Sequence, residues 1–329
     1  MTASPYFRAS HQQEPFMSNP RLESVVCASP AGMHRMAYWE WGDPANTDVV
    51  LCVHGLTRTG RDFDALARAL SNDFRVVCPD IAGRGESDWL ANPVFYSVPQ
   101  YVADLTTLFA RIRPRRLAWV GTSMGGLIGM AFAGALAAAR HTPGKGPGAV
   151  AKAAALPALS GMVLNDVGPH VGVAGLMRIA SYVGRRNVFA SFEDAVAEMK
   201  AVAAPYGPHT DAQWRELARH AYVQHEGAWV PNYDPGIAMG LAPPDGMSQA
   251  AAEQMLWQCY EKLDGPVLIL RGAQSDILVP ATVEGMLAAR QDARLVEFEG
   301  VGHAPSLLQE DQIAAVAAFL RQAVLKWPS

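Results

Sequence analysis

Cysteine is scarce, with four in 329 residues, and Cys27, Cys52, Cys78 and Cys259 form no CxxC pair. That spacing argues against a zinc site or a disulfide framework. Cys52 and Cys78 fall inside apolar runs that read as strands, so buried free thiols are expected, and reduced thiols suit a cytoplasmic protein. Basic excess is missing too: Lys plus Arg number 27 against 31 Asp plus Glu, a formal net charge of −4. This leaves no electrostatic footprint for nucleic acid and no polybasic patch for anionic lipid. No apolar run is long enough to span a membrane without a charge, Gly or Pro interrupting it. The opening "MTASPYFRASHQQEPFMSNP" lacks the basic and apolar regions of a secretory signal. It reads as a polar, mobile extension over residues 1–20, with Met17 as an alternative start. The phosphate-cradling patterns G-x-x-x-x-G-K-S/T and G-x-G-x-x-G are also absent.

What is present is globular: hydrophobic residues make up 50% and charged residues 18% of the chain, enough for a sizeable core. "RLESVVCAS" and "MHRMAYWEWGDP" alternate and predict an antiparallel pair of opening strands. "DVVLCVHG", "FRVVCPD", "RLAWVG", "GMVLNDVG", "GPVLILRGA" and "ARLVEFEG" are continuous apolar runs, as expected of strands buried on both faces. Helical spacing separates them, as at Phe63, Leu66, Ala67 and Leu70, and at Val102, Leu105, Leu108 and Phe109. The alternation predicts an α/β fold with a doubly wound, mostly parallel sheet and ligands outside the carboxyl ends of its strands. Two stretches break the pattern. The Gly/Pro/Ala-rich His141–Ser160 reads as a surface loop. Residues 169–263 carry helical patterns and no convincing buried strand, and are expected to form a helical cap over the site. The core is then 21–168 plus 264–329.

Gly121-Thr122-Ser123-Met124-Gly125 matches G-x-S-x-G. Chance alone gives this pattern in a chain of such length and glycine content with odds of about one in ten. Its context is specific: an apolar strand precedes it, and a helix rich in small residues follows. There a serine sits on a sharp strand-to-helix turn, and the flanking positions must be small. Ser123 is therefore the expected nucleophile. A serine hydroxyl needs a base to take its proton. His303, in "FEGVGHAPSLLQ" just after the last apolar strand, has the right position and chain order. The orienting acid has two candidates at strand ends upstream of His303: Asp276 in "RGAQSDILVP" and Asp166 in "LNDVGP". Asp276 is favoured, because Asp166 immediately precedes the cap and suits a turn. His34, His209, His220 and His225 are expected on surfaces or in the cap; His170 has a weaker claim to the cleft entrance.

Together "VHGLTRTG", "PDIAGRGESDW", "GTSMGG", "RGAQSDILVP" and "GVGHAP" resemble the motifs of the α/β-hydrolase superfamily, over nearly all of the chain after Arg21. The resemblance implies an eight-stranded sheet and an oxyanion hole built from the backbone N–H groups of Leu56 and Met124. It makes His54 a buried structural residue and assigns Arg84 and Asp88 to the surface or a polar network. A serine nucleophile is unlike haloalkane dehalogenases and epoxide hydrolases, and "HGLTRTG" departs from the loop of many meta-cleavage C–C hydrolases. The nearest likeness is to capped bacterial esterases and acyl hydrolases of small to medium esters, hydroxyalkanoate oligomers and lactones among them. A C–C bond hydrolase and a ligand-binding protein with a hydrolase shell are the alternatives. The expected partner is a small-molecule substrate, with no cofactor and no metal. Met177, Trp214, Trp229, Tyr233, Met239 and Trp257 are candidates to line its pocket, against their forming the core of the cap.

Overall fold

The described residues open with a hairpin of β1 (Arg21–Ser29) and β2 (Gly32–Trp41) and continue through β3 (Asp48–Val53), α1 (Asp64–Leu70), β4 (Arg75–Pro79) and α2 (Val98–Ile112). Next come β5 (Arg116–Thr122), α3 (Met124–His141) and β6 (Leu159–Asn165). A long insertion then carries α4 (Val173–Ala180), α5 (Phe192–Val202), α6 (Asp211–Ala221), β7 (Tyr222–His225), β8 (Ala228–Pro231) and α7 (Gly246–Glu261). β9 (Val267–Gly272), α8 (Pro280–Ala289), β10 (Ala293–Phe298) and α9 (Glu310–Leu325) complete it. These elements come from a computed structural model that describes residues 19–141, 159–241 and 246–325. The expected N-terminal extension and the His141–Ser160 loop lie almost wholly outside the described residues.

Eight strands form one sheet in the order β1-β2-β4-β3-β5-β6-β9-β10. β1–β2 and β2–β4 pair antiparallel, and every later pair is parallel. The buried runs explain why: parallel strands joined by helices are covered on both faces, so both sets of alternating side chains are apolar. On β3, Val49, Leu51 and Val53 face α2, α3 and α8, whereas Val50 and Cys52 face α1 and α9. α2 buries Tyr101, Leu105, Leu108 and Ile112 on one stripe. It stops at Arg113, in the left-handed region (φ 48°), just before Pro114.

The insertion differs from its expected all-helical form. Reciprocal capping boxes start α5 (Ser191 with Asp194) and α6 (Thr210 with Gln213). A β7–β8 hairpin follows, turning at Glu226 and Gly227 with φ of 49° and 82°, which suits a tight two-residue turn. α7 does not lie over the strand ends. Its Tyr260 is fully buried in the main core and donates to the Met286 carbonyl of α8 at 3.0 Å. Among the described residues, no helix is long and apolar enough to cross a membrane.

Candidate active site

Ser123 lies between the end of β5 and the start of α3, with φ of 52°. A non-glycine residue in that region is strained, and it is held there by its neighbours. Its N–H donates to Asn165 O at 3.0 Å, and Gly126 N donates back to Ser123 O at 2.9 Å. The flanking glycines are steric necessities: a Cβ on Gly121 would meet the Gly125 carbonyl at 2.5 Å, and one on Gly125 would overlap the Val53 carbonyl.

His303, on the loop after β10, places Nε2 2.8 Å from Ser123 Oγ and Nδ1 2.7 Å from Asp166 Oδ2. The assignment of hydrogens follows from the partners: Nδ1–H donates to the carboxylate, so Nε2 accepts from the serine hydroxyl. The carboxylate against His303 therefore belongs to Asp166, which corrects the expectation for Asp276. Asp166 directly follows β6, the strand beside β5, and its φ of 57° turns the side chain towards the β9 loop. It is fully buried and also accepts from Gly272 N at 2.9 Å and Ser275 Oγ at 2.6 Å. Asp276 points away. It forms a two-pronged pair with Arg178 of α4, Nε–Oδ2 and Nη2–Oδ1 both 2.7 Å. That hydrogen-bonded guanidinium holds the Asp276 carboxyl below the usual carboxylate range. Gly172 and Gly175 allow this docking, since a Cβ on either would strike the Asp276 carbonyl.

Beside Ser123, Met124 opens α3, so its N–H is one of the helix's unpaired first-turn donors. Leu56 follows His54-Gly55 on the loop after β3. His54 braces that loop: Nδ1–H donates to Gly55 O at 2.7 Å and Nε2 accepts from Ile81 N at 2.9 Å. Burial pushes its pKa down to about 3, so the ring is neutral and structural. A hydroxyl on a strained turn, bonded to an imidazole that is itself held by a buried carboxylate, is an arrangement suited to nucleophilic attack.

The sequence profile of the alpha/beta hydrolase family matches residues 50–319, which spans the strands and loops just described. The chain belongs to the alpha/beta hydrolase family. It is similar to a 3-hydroxybutyrate-oligomer hydrolase of Cupriavidus necator, with 46% identity over 92% of this chain and 98% of the relative. It also resembles a methyl ester esterase acting on pimeloyl-acyl-carrier protein from Methylococcus capsulatus, 28% identical over 80% of this chain and 91% of that one. Among solved structures, an alpha/beta hydrolase from Novosphingobium aromaticivorans superposes with a TM-score of 0.76 at 33% identity, covering 93% of this chain and 99% of that chain.

In this family member the cavity over Ser123 and His303 is lined from the core by Leu56, Arg58 and Pro305, and from the insertion by Arg178, Ile179, Tyr182, Met199, Tyr206, Tyr222 and Tyr233. Of the aromatic and methionine residues expected there, Tyr233 alone lines it. Trp214 is buried among Ala195, Val196 and Met199 in the insertion's own small core, and Trp229 packs against Phe192 with centroids 4.9 Å apart. Trp257 sits on α7 against Tyr260, while Met177 and Met239 are exposed. Arg58 and three tyrosines were missed; Tyr206 lies in "APYGPHT", and such Pro/Gly punctuation marks loops that descend to a site.

That segment holds the histidine loop. Gly302 N donates to Pro205 O at 2.6 Å, and His209 Nε2 meets Ser306 Oγ at 2.7 Å. His170 instead pairs with Glu253 at 2.9 Å. His34, expected at the surface, is buried with Nε2 3.0 Å from Asp104. Cys27, His34 and Asp104 form one cluster of metal-ligand types and Asp64, Glu216 and His220 another; none of these residues lines the Ser123 cavity. In the second cluster Asp64 is already bonded twice over by Arg61.

Proposed function

We propose that this carboxylic-ester hydrolase cleaves short hydroxyalkanoate oligomers through an acyl-enzyme on Ser123. The observation that carries the reading is the unbroken Ser123–His303–Asp166 hydrogen-bond chain, with distances of 2.8 and 2.7 Å, at the floor of the cavity. As Ser123 Oγ attacks the ester carbonyl, His303 Nε2 takes its proton, and Asp166 stabilises the imidazolium. The N–H groups of Met124 and Leu56 receive the oxyanion, a contribution of about 3 kcal/mol per donor. The imidazolium then protonates the departing alkoxide. Water, activated by the same histidine, releases the acid. The insertion acts as the cap that confines the substrate.

The oligomer reading rests on similarity to the Cupriavidus hydrolase over almost the whole chain, and the cavity chemistry supports it. An oligoester repeat offers hydrogen-bond acceptors and small alkyl groups. The lining supplies the phenols of Tyr182, Tyr206 and Tyr222 and the Arg178 guanidinium beside Ile179 and Met199.

The test combines labelling with turnover. A fluorophosphonate is expected to form one adduct, on Ser123, and a 3-hydroxybutyrate trimer is expected to be cut to monomer and dimer. Ser123→Ala lowers kcat by about 10⁵-fold or more. An adduct absent from the folded wild type contradicts the serine mechanism. Turnover of simple esters with an intact trimer contradicts the oligomer assignment alone.

A further inference from the structure

Arg84 lies inside the polar-looking stretch "IAGRGESD", yet it is fully buried. Its Nε donates to Leu56 O at 2.9 Å, and Nη1 donates to Ala82 O at 2.7 Å and to Tyr101 Oη at 2.9 Å. Nη2 lies 3.7 Å from Met124 Sδ. The rings of Tyr96 and Tyr101 stand 5.6 and 5.2 Å from the guanidinium carbon. Every one of these partners is neutral. By contrast, the cavity-lining Arg58 and Arg178 each hold an aspartate, and among the described residues no carboxylate pairs with Arg84. An arginine keeps its charge, so the resting fold contains a buried cation with no carboxylate in direct contact, which is a costly arrangement. The Asp234 carboxylate is reached through the Tyr96 hydroxyl, which donates to it at 2.6 Å.

Besides the guanidinium's bond to Ala82 O, backbone and hydroxyl groups hold the Arg84 loop. Gly83 N bonds Asp88 O at 2.9 Å, Ser87 Oγ bonds Asp80 O at 2.5 Å, and Gly85 N and Gly83 O bond Asn232 O and Asp234 N at 3.1 and 2.8 Å. The guanidinium joins Leu56 and Met124, the two residues whose N–H groups are assigned to the oxyanion.

We propose that Arg84 is the positioning residue of the oxyanion hole, and that the direct counter-charge it lacks at rest is the oxyanion formed when Ser123 adds to the ester. This rests on the serine-hydrolase reading above. Its fork fixes the Leu56 loop against the start of α3. Its charge, in a dry environment, favours the tetrahedral adduct over the neutral ester. An interaction stronger in the transition state than in the ground state raises kcat and leaves KM nearly unchanged.

The experiment measures kcat, KM and inhibition by an alkylboronic acid, which forms a tetrahedral anion on the serine, in the full-length wild type and in Arg84→Met, Arg84→Lys, Tyr101→Phe and Ser87→Ala. Arg84→Met is expected to lower kcat by about 100-fold, keep KM within about threefold and weaken the boronate by a factor similar to the kcat loss. Arg84→Lys, which keeps the charge without the fork, recovers part of both. Ser87→Ala, which removes the bonds to Asp80 O and from Ala37 N of β2 and touches neither Leu56 nor Met124, lowers the melting temperature without moving the boronate affinity. Where Arg84→Met fails to fold, Tyr101→Phe carries the test, with kcat and boronate affinity falling together about fivefold. A loss seen only in KM, or boronate affinity unchanged in the Arg84 and Tyr101 variants, overturns the proposal. A wild type that neither turns over esters nor takes a phosphonate on Ser123 removes the hydrolase reading itself, a distinguishable failure.

Discussion

The loops that leave β6 and β9 lie side by side, and each carries an aspartate at a strand's carboxyl end. Asp166 is fully buried, accepts three hydrogen bonds and faces His303. Asp276 is about one-third exposed and faces Arg178 of the insertion. On the proposed mechanism one carboxylate serves the reacting centre, while the other fastens α4 to the core. The second strand end also works for the first: Gly272, the last residue of β9, and Ser275 of the loop after it supply two of the three donors that hold Asp166. Proximity to the strand ends is common to both acids; what separates them is the donor that reaches each one.

Removing a shared support sharpens the contrast most. Ser275→Ala deletes the 2.6 Å bond to Asp166 and leaves the Ile277 and Leu278 amides without their acceptor. A support of this kind orients the group that acts, so kcat is expected to fall about tenfold with little change in KM, measured by steady-state ester hydrolysis. An unchanged kcat means Asp166 is held well enough without it.

A smaller effect concerns the third strand-end loop, after β3, which is braced by a neutral ring instead of a carboxylate. The folded-state pKa of His54, about 3, lies below the usual 6.5. The unfolded chain therefore binds a proton between those values that the folded chain does not, and stability from this group is lost as pH falls. Its slope approaches about 1.4 kcal/mol per pH unit. In urea unfolding from pH 7 to 4.5, the stability advantage of the wild type over His54→Gln is expected to shrink as pH drops. A constant difference contradicts a buried neutral His54.

Much of the fold was legible because its signals are local. Runs such as "DVVLCV" and "VLILRG" are apolar on both faces because the strands are covered on both, and the glycines around Ser123 are where backbones meet. The choice between Asp166 and Asp276 was not local. Both precede His303 and both end strands; only the arrival of Arg178, from a helix 98 residues earlier than Asp276, assigns one of them elsewhere. α7 posed the same difficulty, since helical periodicity says nothing about which layer a helix joins. Arg84 hid in a polar stretch because its burial is satisfied by carbonyls and aromatic rings, not by apolar periodicity.

The most direct measurement is the kcat of Asp166→Asn and of Asp276→Asn on one ester substrate, with circular dichroism confirming that both are folded. If Ser123, His303 and Asp166 form the working unit, Asp166→Asn lowers kcat by about 10⁴-fold, because the amide no longer holds the imidazole in the required tautomer. Asp276→Asn then retains kcat within about threefold, since the ion pair it breaks is partly exposed. The opposite pattern, with activity lost at Asp276 and kept at Asp166, would contradict the site as described.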